Sequence, residues 1–193
     1  MVLGNGQEQA QMKKAIVILL VLALVGSAAY GVWFVSERWQ EPKVMPVVGA
    51  TSRDWHPETF WYEPWGESLV HKGMDIFADR GTPVVAATNH YIMSVNDSRR
   101  GGKNIWALGP NWRMHYYAHL DTIEEGLGGY VAAGTPLGTV GSSGNAQGKP
   151  PHLHYGIRSM IADESRIDDS TLGEQKAYWL NPIEYLAPVI VTP

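Results

Sequence analysis

The apolar positions of this chain fall into two regimes. Residues 15–35 form a run of 21 without a single charged side chain. As a helix rising ~1.5 Å per residue, such a run spans about 32 Å, against a bilayer core of about 30 Å. Lys13 and Lys14 precede it. Under the positive-inside rule they hold residues 1–14 in the cytoplasm and send the remainder outward. The pattern therefore predicts a transmembrane signal anchor over 15–35. A cleaved signal peptide is the alternative, with residues 16–25 as its apolar core and Ser27-Ala28-Ala29 as a small-residue cleavage site. Apolar and aromatic residues continue past Ala29 through Trp33 and Phe34, which favours the anchor. Either reading exports the residues from about Ser36 onward.

After the run the apolar period shortens. Residues 36–54 mix charge with Pro42 and Pro46 and read as a linker. A single domain is expected over 55–193. Apolar runs of strand length lie at 82–87, 91–95, 104–108, 114–120, 137–140 and 152–157, separated by Gly, Pro, Asn and Asp. That punctuation predicts an all-β sandwich or barrel. Gly81-Thr82-Pro83-Val84-Val85-Ala86 is echoed by Gly134-Thr135-Pro136-Leu137-Gly138-Thr139, which suggests two related β units. The aromatics between 55 and 65 either pack over the edge of the core or line a groove. Residues 162–176 read as a solvated loop. Asn181-Pro182 opens a short capped turn.

Composition narrows the classes. Hydrophobic residues make up 45% of the chain, enough for a packed core beside the apolar run. Plentiful Gly (21) and Pro (12) suit a loop-rich β protein rather than a bundle. A net charge of −4 leaves no basic footprint, so no nucleic-acid partner is expected. The absence of Cys excludes disulfides and thiolate metal ligands.

Three motifs carry candidate chemistry. In His71-Lys72-Gly73-Met74-Asp75, strand alternation places His71, Gly73 and Asp75 on one face, with Gly73 leaving room between two potential ligands. In His152-Leu153-His154 the same alternation aims both imidazoles one way. Tyr116-Tyr117-Ala118-His119-Leu120 presents His119 at a strand end. His115 would share the face of Tyr117 and His119 if that strand is regular. Four of the seven histidines thus fall within these motifs, in three separated strands. A catalytic zinc takes three protein ligands and keeps an open position. No His-Glu-x-x-His occurs, so the general base would be an unliganded His. Spacing alone does not divide these residues into ligands and bases. The loop 141–151 is glycine-rich but lacks the Lys-Ser/Thr ending of a phosphate loop, and reads as a rim through which substrate approaches.

Over residues 65–157 the chain resembles the lysostaphin-type (LytM-like) zinc endopeptidases. His-x-Gly-x-Asp, Tyr-Ala-His-Leu and His-Leu-His occur in family order. The resemblance implies a duplicated LytM-like β domain in which His71, Asp75 and His154 bind zinc, while His119 and His152 are the catalytic histidines. It implies peptide cross-links of peptidoglycan as substrate, in cell-wall remodelling. With the anchor, the enzyme would be a single-pass protein of the bacterial cytoplasmic membrane, its catalytic domain on the extracytoplasmic side. A cell-wall synthesis or hydrolysis complex is a candidate partner. The alternative function is a non-catalytic LytM-like regulator that activates other wall hydrolases. One departure is Asn89-His90, where relatives often have Asp-Gly.

Overall fold

A computed structural model describes residues 4–191. The chain divides into two units, Met1–Arg38 and Trp39–Pro193.

The first unit is one helix, α1 (Gly4–Arg38). Its stretch Gln7–Ser36 is long and apolar enough to cross a membrane, by length and composition. A helix that packs on a soluble core is apolar on one stripe and polar on the other. Here apolar side chains project all round, with Leu19, Leu24 and Val32 all exposed.

The second unit is built on nine antiparallel strands: β1 (Met74–Phe77), β2 (Pro83–Val85), β3 (His90–Ser98), β4 (Gly102–Gly109), β5 (Arg113–Ile123), β6 (Gly129–Val131), β7 (Pro136–Val140), β8 (His152–Ser159) and β9 (Trp179–Leu180). The main sheet runs β1-β8-β5-β4-β3-β6, with β7 joining β5 to β2 and β9 flanking β8. The all-β expectation holds, and each predicted apolar run overlaps a strand. Two short strands, β6 and β9, lie outside the predicted runs and motifs.

Alternation builds the core. In β1, Met74 and Ile76 are fully buried; in β8, Leu153, Tyr155 and Ile157 are. They meet Ile105 of β4 and Tyr117 and Leu120 of β5. Each such side chain contributes about 1.5–3 kcal/mol by leaving water. The opposite face of β1 and β8 carries Asp75, Phe77, His152 and His154.

The internal echo has a structural counterpart. Its two copies open β2 and β7, which pair with each other. The Gly81 amide donates to the Val140 carbonyl (2.9 Å), and the Gly134 amide to the Ala86 carbonyl (2.8 Å). The reciprocal bonds, Val140 to Thr82 and Ala86 to Thr135, complete a local pseudo-twofold ladder. Both glycines are left-handed, with φ of +81° to +89°, a conformation that costs a Cβ-bearing residue more.

Part of the segment read as a linker lies within the folded unit. Val47 and Ala50 join the core. The Val44 amide donates to Ala87, and the Val85 amide to the Pro46 carbonyl, both at 2.9 Å. The prolines remove donors there but leave carbonyls to accept. Near the other end, the Asn181 side chain accepts from the Ile183 amide (3.0 Å) at the start of α2 (Pro182–Leu186), as the capped-turn reading expects.

A histidine-lined candidate active site

One cleft of about 1080 Å³ opens on the face of β1, β5 and β8 away from the core. His71, Asp75, His119, His152 and His154 all line it. The structure brings together every residue that the three motifs single out.

Asp75 and His154 are directly paired across β1 and β8. His71 lies just before β1 rather than in it. Its Nδ1 sits 2.8 Å from the Thr59 carbonyl. A carbonyl only accepts, so Nδ1 carries the proton and Nε2 keeps its lone pair. That Nε2 lies 3.0 Å from His154 Nδ1 and 3.1 Å from Asp75 Oδ1. The triangle closes with 2.8 Å between His154 Nδ1 and Asp75 Oδ1. Gly73 makes this possible: a Cβ there would lie 2.9 Å from the His154 ring and 2.6 Å from the Tyr155 carbonyl.

This donor set fits zinc. Two imidazole nitrogens and one carboxylate oxygen, all within 4.8 Å of one another, face a common point. Ligand atoms ~2.1 Å from a tetrahedral ion are about 3.4 Å apart, close to the spacing seen here. Two imidazoles and a carboxylate also suit that metal chemically. The electrostatics agree. Burial pushes the Asp75 carboxyl upward, but the adjoining His154 and His71 rings outweigh it and hold Asp75 below the usual carboxylate range. Burial lowers His154, partly offset by Asp75, a shift that favours the neutral ring a metal needs.

The other two histidines flank the triangle. His152 Nδ1 is 2.8 Å from the Pro150 carbonyl, and His119 Nδ1 is 2.9 Å from the Ser143 carbonyl. By the same argument each presents an unprotonated Nε2. Their rings meet edge to face with centroids 5.1 Å apart. Burial, then the charges of His154 and His152, push His119 down to about 4. Its base form therefore predominates at neutral pH.

The strand carrying His119 is not regular. Tyr116 and Ala118 face the cleft, so strict alternation would send residue 119 into the core. Instead His119 is left-handed (φ 66°) and the pairing of β5 with β7 shifts after Leu120. The irregularity turns the imidazole into the cleft. Such strained conformations cluster at functional sites. His115 stays on the core face, fully buried, where its Nδ1 meets the Tyr155 hydroxyl at 2.8 Å. It does not line the cleft.

The aromatics of 55–65 divide between both readings. Trp55 and Trp61 are buried, whereas Trp65 stacks on His71 with centroids 4.1 Å apart. On the far wall Trp106 stacks on Tyr116 (4.3 Å). The motifs did not single out Thr59, Ser143 and Pro150, which orient imidazoles through main-chain oxygens, nor Arg99 and Arg100 at the rim.

These features agree with known proteins. Residues 69–168, just over half of the 193, match Peptidase family M23, and the chain belongs to that family. The L-Ala–D-Glu endopeptidase of Bacillus subtilis is 39% identical over 111 residues, 54% of this chain and 33% of that protein. Lysostaphin of Staphylococcus simulans is 38% identical over 88 residues, 45% of this chain and 17% of its own. A peptidoglycan DD-endopeptidase of Vibrio cholerae is 31% identical over 100 residues, 52% of this chain and 21% of its own. The matches span a third or less of each relative. Among solved structures, the catalytic domain of lysostaphin from Staphylococcus simulans superposes with a TM-score of 0.54 at 25% identity, over 70% of this chain and 94% of that one.

Proposed function

We propose that the chain is a membrane-anchored zinc endopeptidase hydrolysing peptide cross-links of peptidoglycan. The observation that carries this reading is the convergence of His71 Nε2, Asp75 Oδ1 and His154 Nδ1 beside two tethered imidazoles. His71, Asp75 and His154 would hold the metal. When bound, zinc acidifies water and polarises a peptide carbonyl.

The chain's own residues do the rest. His119 and His152 each present a lone pair at Nε2, because a backbone carbonyl holds the proton at Nδ1. One accepts the proton of the attacking water. The imidazolium so formed then donates from Nε2 to the departing amine. Trp65, Phe77 and Trp106 wall the cleft and restrict water around the reacting peptide. We assign α1 the anchoring role, which keeps the domain at the outer face of the cytoplasmic membrane, near the wall. The family's wall-cleaving relatives support the substrate class, and retention of all five site residues argues against a purely regulatory role.

The test is direct. Detergent-solubilised full-length protein loaded with zinc should retain about one ion per chain and release cleaved muropeptides from purified sacculi. Sacculi left intact by the zinc-loaded protein would overturn the proposal.

A further inference from the structure

The chain as a whole is acidic, yet its cleft is not. Outside the proposed metal triad the charged residues lining it are Lys72, Arg99, Arg100 and Lys149 against a single acid, Glu67. Lys72 is engaged by the Gln175 side chain at 2.8 Å. The two arginines hold a carboxylate. Arg99 donates to both Glu67 oxygens (3.0 and 3.3 Å), and Arg100 donates to Oε2 at 3.0 Å. Glu67 belongs to a short helical turn, Gly66–Ser68, in the loop carrying Trp65. All three partners are largely exposed, so this ion pair adds little stability and a competing anion can replace it.

The arginines are also tied to the reacting centre. Gly101, next to Arg100, accepts from the His119 amide (2.9 Å), and the Arg100 carbonyl accepts from the Asn145 amide (3.0 Å). The turn bearing them is thus hydrogen-bonded to the residue proposed as a base and to the rim loop. Guanidinium groups recognise carboxylates with directional, charge-assisted bonds.

We propose that Arg99 and Arg100 form a carboxylate-reading subsite, occupied in this state by Glu67, and that the cleft selects peptides carrying a free carboxylate near the scissile bond over neutral ones. Substrate displaces Glu67 from the arginines, loosening the loop 64–69 as it enters. The inference rests on the endopeptidase reading for its cleavage readout but not for its binding readout.

Two cross-linked peptides that differ only in whether the carboxyl beside the scissile bond is free or amidated provide the test, with a neutral glycine peptide as third substrate. Full-length protein in detergent should cleave the free acid with the lowest KM. Arg99→Gln with Arg100→Gln should raise that KM on the order of tenfold with kcat little changed, and leave the amidated peptide unaffected. Glu67→Gln should act oppositely, lowering the KM for the free acid by removing the internal competitor. Calorimetric binding of both peptides to the His152→Ala variant should show the same preference without turnover. Preference in binding with no cleavage by the wild type would support the subsite while sinking the endopeptidase reading. Equal KM and equal binding for free and amidated peptides would overturn the subsite. So would a Glu67→Gln variant that impairs both substrates alike, the behaviour of a mere structural tie.

Discussion

Strand β5 carries a histidine on each of its two faces, and the two fates differ. On the cleft side, His119 joins His71, His152 and His154, and in three of these rings, His71, His119 and His152, Nδ1 is held by a backbone carbonyl. On the core side, His115 packs against His90 of β3 with centroids 5.6 Å apart. There His115 Nε2 and both nitrogens of His90 find no hydrogen-bond partner among the described residues. Burial lowers His90 to about 4 and His115 well below its ordinary value, so this pair is neutral packing material. The contrast lies in the second nitrogen: His115, with Nδ1 on the Tyr155 hydroxyl, turns its Nε2 into the packed core, whereas the carbonyl-held rings turn theirs toward an open cleft.

The largest effect that would sharpen this contrast is expected from His154→Ala. It should abolish zinc retention, read by metal analysis, and with it the release of muropeptides. Next come His119→Ala and His152→Ala. Each should keep its zinc yet lose about 10²–10⁴ in rate, the usual worth of general acid–base catalysis; loss of metal in either would reassign it as a ligand. Gly73→Ala touches no reacting atom, but its Cβ presses on the His154 ring. It should weaken zinc binding by about 10–100-fold in a chelator competition, as displacing a supporting group does.

The core pair should behave in the opposite sense. His90→Phe removes two unpartnered nitrogens and should leave metal content and rate unchanged, with stability at pH 7 within about 1 kcal/mol of wild type. Its signature lies in pH. The folded His90 titrates near 4, below the ~6.5 of an unfolded histidine. Below pH ~6.5 the unfolded state therefore binds more protons. Stability is undiminished above that pH and falls as pH drops toward about 4, by about 3 kcal/mol from this residue. The Phe variant should lose that part of the acid sensitivity in thermal unfolding between pH 7 and 4. An unaltered pH slope would show that His90 is solvated rather than buried dry.

Much of this was legible in the sequence. Alternation in Met74–Phe77 and His152–Ser159 suffices to place Asp75, His152 and His154 on one face, because both strands are regular there. The echo at 81 and 134 points to the β2–β7 pair, because each copy begins with a glycine that the turn requires. Alternation misleads at His119, since a left-handed residue reverses the face and no local pattern announces it. The carbonyls of Thr59, Ser143 and Pro150 are invisible to motif reading, for every residue has one. Val47 escapes because its partner Val84 is remote in sequence.

Those three carbonyls have a further consequence, for how the protein tolerates change. The groups that fix the tautomers of His71, His119 and His152 belong to the main chain, so no point substitution deletes them. The side chains there are not all idle: Thr59 Oγ1 also lies 2.9 Å from His71 Nδ1, and Ser143 Oγ accepts from the Lys103 amide (3.0 Å) and donates to the Leu120 carbonyl (2.8 Å). What the site does not survive is a change in loop length, because one residue more or fewer would carry an oxygen away from its ring. The tautomers thus depend more on loop length than on side-chain identity, and library design on this scaffold should keep the residue count of these loops and spare Thr59 and Ser143, whose hydroxyls are engaged.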